Sequence, residues 1–128
     1  MKLLLDTHAF IWLNNEPSRL SEAVIQLCQS GTHEFYLSLA SPWEMQIKQQ
    51  LGKLSLGVSL DELIQRNIES NRIQLLPIDF KHISYLSKLP FHHNDPFDRM
   101  IIAQALVEKM TIISVDSAFS AYSVPVIW

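Results

Sequence analysis

The chain has 128 residues, of which 48% are hydrophobic and 18% are charged, and its formal net charge is −3. This composition suits a single folded domain and excludes a chain that is disordered over most of its length. No lysine or arginine run is present, which excludes a broad basic face of the kind that dominates nonspecific nucleic-acid binding.

The first half of the chain predicts alternating strands and helices. Lys2–Leu5 is an apolar run ended by an acid, and it predicts a buried strand. The segments that follow predict a helix at 7–13, a turn at 14–18, a helix at 21–29, a strand at 34–38 and a helix at 41–50. Ser21 is the expected N-cap of the second helix, and Gly31 lies just past its end.

The second half continues the alternation. It predicts a helix at 59–70, a strand at 73–76, a helix at 80–89, a loop at 90–96, a helix at 97–109, a strand at 111–115, a short helix at 117–122 and a strand at 124–128. The helix at 97–109 is apolar nearly all round, which is typical of a buried helix. The alternation predicts one α/β domain over residues 1–128, with helices on both faces of a mainly parallel sheet of about five short strands.

The N-terminus and the cysteine content predict a cytoplasmic protein. The apolar run before Asp6 is too short for a signal peptide or a membrane span. The single cysteine, Cys28, cannot form an intrachain disulfide and fits a reducing cytosol. Its place in an apolar pattern is typical of a small core residue.

Five acids stand at the predicted starts of helices, and each has a structural explanation by itself. Asp6, Asp95 and Asp116 could each cap the helix that follows. Glu44 ends a Ser-x-x-Glu pattern, which is the signature of a capping box. Asp98 lies near the positive end of a helix dipole.

Taken together, these acids predict a shared site. Asp6 and Asp116 follow the carboxyl ends of strands, and that edge of a parallel sheet is where ligands bind in α/β folds. Helices that return in such a sheet begin at the same edge, which brings in Glu44, Asp95 and Asp98. Carboxylates gathered there repel one another, and Arg99 is the only obvious counter-charge nearby. Mg²⁺ or Mn²⁺ is the natural neutraliser, and a metal held by carboxylates supports phosphodiester hydrolysis.

Several segments of the chain carry a resemblance to a known family. They are LLLDTH at 3–8, SPWE at 41–44, HNDPFDR at 93–99 with MIIAQA directly after it, SVD at 114–116 and the closing VPVIW. In these segments the chain resembles the PIN-domain ribonucleases, and specifically the VapC-type toxins of bacterial toxin–antitoxin pairs. The resemblance spans the whole chain, and DPFDR leading into IAQA is its most specific part.

The resemblance implies a three-layer α/β/α fold and a metal-dependent endoribonuclease that inhibits translation. It also implies an RNA substrate, a cognate antitoxin and a homodimer. The family's four site acids fall on Asp6, Glu44, Asp98 and Asp116. We expect Asp6 and Asp98 to hold Mg²⁺, with Mn²⁺ as a substitute, while Glu44 and Asp116 complete the site and Asp95 is an auxiliary ligand.

Basic residues and histidines near the acids have two interpretations each. Arg99 is expected to orient or partly neutralise the acids, or alternatively to orient the substrate by contacting the scissile phosphate. His8, His92 and His93 match no ordinary zinc pattern and are expected to be structural or exposed.

The remaining candidates concern binding surfaces. Lys48 and Lys53 flank the Glu44 helix and could meet RNA phosphates, although a solvated face is the more ordinary explanation. Trp12, Trp43 and Met45 could line a groove for an antitoxin segment, or they could be ordinary core residues.

Two other classes of protein fit parts of the sequence. A receiver-type signalling module is also a parallel α/β domain that binds Mg²⁺, but it needs adjacent acids after its first strand and an acceptor aspartate ending a central strand. Here Asp6 stands alone and the third predicted strand ends at Leu76 before Pro77. A non-catalytic RNA-binding domain is the other class, and the complete set of acids argues against it.

Overall fold

The computed structural model describes residues 1–128 and centres on a five-stranded sheet. The strands are β1 (Lys2–Leu5), β2 (Glu34–Ser38), β3 (Gln74–Leu76), β4 (Thr111–Ile113) and β5 (Val126–Ile127). Their order is β3-β2-β1-β4-β5, and every neighbouring pair is parallel. The prediction of a parallel α/β sheet of five short strands is therefore confirmed.

Six helices connect the strands: α1 (Thr7–Asn15), α2 (Glu22–Gln29), α3 (Ala40–Gln50), α4 (Leu60–Ser70), α5 (Phe80–Tyr85) and α6 (Pro96–Glu108). Short 3₁₀ segments lie at Pro17–Arg19, Leu86–Lys88 and Ser117–Ala121. The helix expected at 80–89 thus ends in a 3₁₀ turn, since Pro90 has no N–H to continue it. The helix expected at 117–122 is entirely 3₁₀. No helix has the length and apolar character needed to span a bilayer.

The central strand β1 contributes to two hydrophobic cores, one on each face of the sheet. Leu3 and Leu5 point into a core shared with Phe10 of α1 and Leu63 of α4. Leu4 points to the opposite face, into a core built largely by α6. Successive side chains of a strand alternate between faces, so a continuous leucine run suits a strand covered on both sides. The result is the three-layer α/β/α arrangement.

The carboxyl ends of β1 and β4 lie next to each other and position the first acids. The Asp6 N–H donates to the Ile113 carbonyl at 3.1 Å, which extends the ladder between these strands by one residue. Asp6 then begins α1, and Asp116 follows β4 by three residues. Both acids therefore stand at the same edge of the sheet.

The start of α3 differs from the sequence prediction. The helix begins at Ala40 and has Leu39 at its N-cap position without a side-chain cap. Ser41 forms no capping box, because its hydroxyl pairs with the Thr7 hydroxyl of α1 at 2.9 Å. Glu44 consequently lies in the second turn of α3, and its carboxylate is not used to cap the helix.

Candidate metal centre

Asp6 is a buried carboxylate at the end of the central strand, with 3% of its surface exposed. Its Oδ1 accepts a hydrogen bond from the Ala9 N–H at 2.7 Å and so caps α1. Its Oδ2 accepts one from the Ser114 hydroxyl at 2.5 Å. Burial raises the pKa of Asp6 above its usual value even though both hydrogen bonds lower it. The charged form of Asp6 is therefore only partly compensated by the protein itself.

Ser114 links the two strand-end acids. Its hydroxyl donates to Asp6 and accepts from the Asp116 N–H at 3.0 Å. Asp116 is exposed, its Oδ1 accepts from the Ala118 N–H at 2.9 Å, and its charge contributes to raising the pKa of Asp6. Sequence reasoning did not single out Ser114, although its position directly after β4 was a usable signal.

Asp98 lies in the first turn of α6, and its carboxylate lies close to that of Asp116. Burial, followed by the nearby charge of Asp95, raises the pKa of Asp98 to about 6. The hydrogen bond of 2.8 Å between Asp98 Oδ2 and His93 Nε2 lowers the pKa of Asp98. The negative charge of Glu44 raises the pKa further. Asp95 is the N-cap of α6, because its Oδ1 accepts from the N–H groups of Phe97 and Asp98.

Glu44 is a buried carboxylate with one satisfied and one unsatisfied oxygen. Its Oε2 lies 3.0 Å from the Lys48 ammonium, one helical turn further along α3. Its Oε1 is buried and has no hydrogen-bond partner. An unpaired buried carboxylate oxygen is costly, so a cation bound beside it would satisfy this atom. Lys48, for which the sequence suggested RNA contact or a solvated face, instead supplies the counter-charge to Glu44.

His93 joins Asp98 and Asp116 in the cluster, although sequence reasoning assigned it to structure or surface. One potential ligand atom from each of these three residues lies within 4.8 Å of the other two. The usable signal was its place on the short loop that leads into α6. His8, in contrast, is exposed on α1, and the His92 ring packs on Tyr122.

Arg99 does not neutralise the acids, and that expectation requires correction. It forms no salt bridge, and its guanidinium donates to the carbonyls of Leu86, Leu89 and Pro90 and to the Tyr122 hydroxyl. These acceptors are a turn and a loop that pack beside α6. Arg99 is buried, so these carbonyls replace the water that would otherwise solvate it.

The candidate groove residues separate into core and surface. Met45 is fully buried, so it belongs to the core and lines no groove. Trp43 is 60% exposed and packs edge-on against Phe97, with the ring centroids 5.0 Å apart. Trp12 is partly buried against Trp128. Lys53 is exposed and lies in the connector after α3.

The residues of the cluster suit a hard divalent cation. Asp6 and Asp98 are carboxylates whose charge is poorly compensated, and Glu44 Oε1 lacks a partner. A second group, formed by Asp79, His82 and Glu108, does not suit a metal. There His82 Nδ1 accepts from the Asp79 N–H, and His82 Nε2 bonds Glu108, which also pairs with Lys81. Both ring nitrogens of His82 and one oxygen of Glu108 are thus already engaged within the protein.

The fold and the cluster together define an α/β/α domain with an acidic site at the carboxyl edge of its sheet. The chain belongs to the PIN domain family, whose profile matches residues 3–125. PIN domains are generally metal-dependent nucleases that bind divalent cations. No curated protein sequence matches the chain.

Solved structures of low sequence identity share this fold over nearly the whole chain. VapBC2 from Rickettsia felis, bound to a promoter DNA fragment, is 14% identical with a TM-score of 0.76, covering 99% of this chain and 98% of that one. VapBC-1 from nontypeable Haemophilus influenzae is 18% identical with a TM-score of 0.69, covering 99% and 97%. A toxin–antitoxin complex from Klebsiella pneumoniae is 16% identical with a TM-score of 0.62, covering 98% and 96%.

Replacing Lys48 with Gln is expected to tighten Mn²⁺ binding by roughly threefold. The reason is that Lys48 places a positive charge 3.0 Å from Glu44 Oε2, while its 40% exposure lets solvent screen part of the effect. Titration with Mn²⁺, followed by the electron paramagnetic resonance signal of the free ion, measures the affinity. Lys53→Gln makes the same charge change outside the cluster and should leave the affinity unchanged. Equal or weaker binding by Lys48→Gln would show that Lys48 does not compete with the cation.

Proposed function

We propose that residues 1–128 form one nuclease domain that cleaves RNA endonucleolytically with the help of a divalent cation. The observation that carries this proposal is the buried Glu44 Oε1, which lacks a partner in a cluster where two aspartates have raised pKa values. The chain belongs to a family of generally metal-dependent nucleases, which supports phosphodiester cleavage as the reaction.

Each acid has a specific role in the proposed reaction. Asp6 and Asp98 hold the cation, Mg²⁺ or Mn²⁺, and Glu44 and Asp116 complete the site. A bound cation of this kind lowers the pKa of water and offsets the charge that develops on the phosphoryl group. Ser114 keeps the Asp6 carboxylate in place through its hydrogen bond, and Asp95 supports Asp98 by capping α6.

RNA binding is expected to depend on the site rather than on a basic surface. The net charge of −3 gives the protein no general attraction for a polyanion. Local positive potential comes from the bound cation and from the N-terminus of α6. We therefore expect modest affinity for RNA in the absence of a partner, with Arg99 taking no part in substrate contact.

We further propose that the chain is the toxin of a toxin–antitoxin pair, acting in the cytoplasm as a homodimer that inhibits translation. Support comes from the similar solved structures, one of which is a toxin–antitoxin complex from Klebsiella pneumoniae. Exposed apolar side chains on and beside α3 and α4, namely Leu39, Trp43 and Ile68, offer a surface for a protein partner. Trp43 is the natural anchor, since aromatic side chains dominate such contacts.

The decisive experiment is a cleavage assay on total cellular RNA. The purified chain should cut RNA with added Mg²⁺ or Mn²⁺ and should stop when EDTA removes the metal. RNA binding without cleavage would favour the non-catalytic alternative and overturn the enzymatic proposal. Cleavage that persists in EDTA would leave the enzyme but overturn the role of the metal.

A further inference from the structure

The Asp98 carboxylate depends on one side chain for its only hydrogen bond to another residue. His93 Nε2 lies 2.8 Å from Asp98 Oδ2, and the two side chains are 21% and 20% exposed. Asp98 Oδ1 has no hydrogen bond within the chain. The histidine could act on the site in two ways, either as a ligand of the cation through Nε2 or as a donor that orients Asp98.

The second ring nitrogen decides between these two roles. The Asp95 N–H points at His93 Nδ1 over a donor–acceptor distance of 3.4 Å, which places Nδ1 as the acceptor nitrogen of the ring. The ring proton then resides on Nε2, which donates to Asp98 Oδ2. A protonated Nε2 cannot bind a cation, whereas an N–H donor suits a carboxylate that is itself a ligand.

The loop that carries His93 is clamped by buried groups. The His93 N–H donates to the Tyr122 hydroxyl at 3.0 Å, and that hydroxyl donates to the Pro90 carbonyl at 2.9 Å. Arg99 donates to the same Pro90 carbonyl at 2.9 Å, and its guanidinium lies 4.1 Å from the centre of the Phe91 ring. These contacts fix the backbone on both sides of the loop, and so they set where the imidazole lies.

We propose that His93 is a positioning residue for Asp98, held in place by Tyr122 and Arg99. It engages Oδ2 and leaves Oδ1 of Asp98 for the cation. This inference rests on the proposed function, because it assumes that the cluster binds a divalent metal. It also gives Arg99 its role, which is to hold the loop of the positioning residue.

Mn²⁺ binding to metal-free protein tests the inference without any assay of activity. His93→Leu removes the donor and should weaken Mn²⁺ binding by roughly 10- to 100-fold. His93→Gln retains an N–H close to the position of Nε2 and should stay within about threefold of the parent. His33→Leu, which changes a histidine before the amino end of β2 at the opposite edge of the sheet, is the matched control and should bind as the parent does.

A spectroscopic measurement separates a positioning residue from a ligand. Electron spin echo modulation of the bound Mn²⁺ should show no coupling to a coordinated imidazole nitrogen in the parent protein. Such a coupling, lost in His93→Leu, would make His93 a ligand and overturn the inference. Equal loss of affinity in the Gln and Leu variants would overturn it as well, since the N–H donor is then not what matters.

Two further outcomes keep the test decisive. If His93→Leu does not fold, Tyr122→Phe takes its place, because it removes the hydroxyl that anchors the His93 backbone. It should weaken Mn²⁺ binding by several-fold, and parent-like affinity would overturn the inference. If the parent itself binds no Mn²⁺, the proposed function fails. If the parent binds and His93→Leu binds equally well, only the role of His93 fails.

Discussion

Replacing Asp6 with Asn is expected to lower RNA cleavage on the order of a thousandfold, because the amide is a far weaker ligand for a hard cation. The fold should stay close to the parent in stability, because loss of the Ser114 hydrogen bond to Oδ2 is offset by removal of a buried charge. Asn can still cap α1, since its carbonyl oxygen can accept from the Ala9 N–H. Burial raises the pKa of Asp6, so removing the charge also removes a desolvation cost.

Cleavage rates and urea unfolding curves, measured on the same preparations, test this expectation. Asp61→Asn is the matched control, because Asp61 is exposed in the first turn of α4 and far from the cluster in sequence. It should leave cleavage unchanged. Parent-like cleavage by Asp6→Asn would refute the assignment of Asp6, and a variant that is both inactive and much less stable would point to a structural role only.

Added Mn²⁺ is expected to raise the unfolding temperature more at about pH 7.5 than at about pH 5. The pKa of Asp98 rises from 3.8 to about 6 on folding, so the folded state holds this proton more tightly than the unfolded state. The resulting stability is present below about pH 4 and is lost as the pH rises through about 6. The full loss in the free energy of unfolding corresponds to about 3 kcal/mol at most. Burial also raises the pKa of Asp6, so Asp6 changes the stability with pH in the same direction.

Differential scanning calorimetry with and without Mn²⁺ at the two pH values measures this effect. Without metal, the protein should melt roughly 5 °C lower at the higher pH, and Mn²⁺ should recover most of that difference. Glu108 does not affect the comparison between the two pH values. Its pKa is lowered from 4.5, so its contribution to the free energy of unfolding is lost only in more acidic solution. Asp98→Asn should flatten the pH dependence. A larger effect of Mn²⁺ at the lower pH would contradict this account.

Much of the fold was predictable because its signals are local. The run of leucines before Asp6 and the β-branched run at 111–113 identify the two strands that carry the strand-end acids. Ser21 caps α2, as its position before an amphipathic run predicts. The shared position of Asp6 and Asp116 was therefore predictable, because the carboxyl ends of parallel strands lie at one edge of the sheet.

The surroundings of Glu44 were not predictable, because they depend on contacts between distant residues. The Ser-Pro-Trp-Glu pattern has the spacing of a capping box, yet Ser41 pairs with Thr7, which lies 34 residues earlier. The helix begins at Ala40, whose N–H donates to the Ser38 hydroxyl at 3.0 Å. A local motif could indicate that Glu44 lies near a helix start, but not that its carboxylate is left free for the site.

The contacts of Arg99 and His93 were not predictable for a related reason. Arg99 follows Asp98 directly, which suggests an ion pair, but successive residues of a helix do not face each other. Its partners come from the turn after α5 and from Tyr122, which lies 23 residues further along the chain. His93 has no metal-binding pattern of its own, and only the folded loop brings its ring to Asp98.

The hydrogen bond between Asp6 and Ser114 joins residues separated by 108 positions in the chain. β1 is therefore synthesised well before β4 and the residues that complete the acidic cluster. A nascent chain cannot assemble the cluster before β4 and Ser114 have left the ribosome, because neither strand alone supplies both partners of this hydrogen bond. The order of synthesis thus makes formation of the acidic cluster depend on the pairing of β4 with β1, which lies far earlier in the chain.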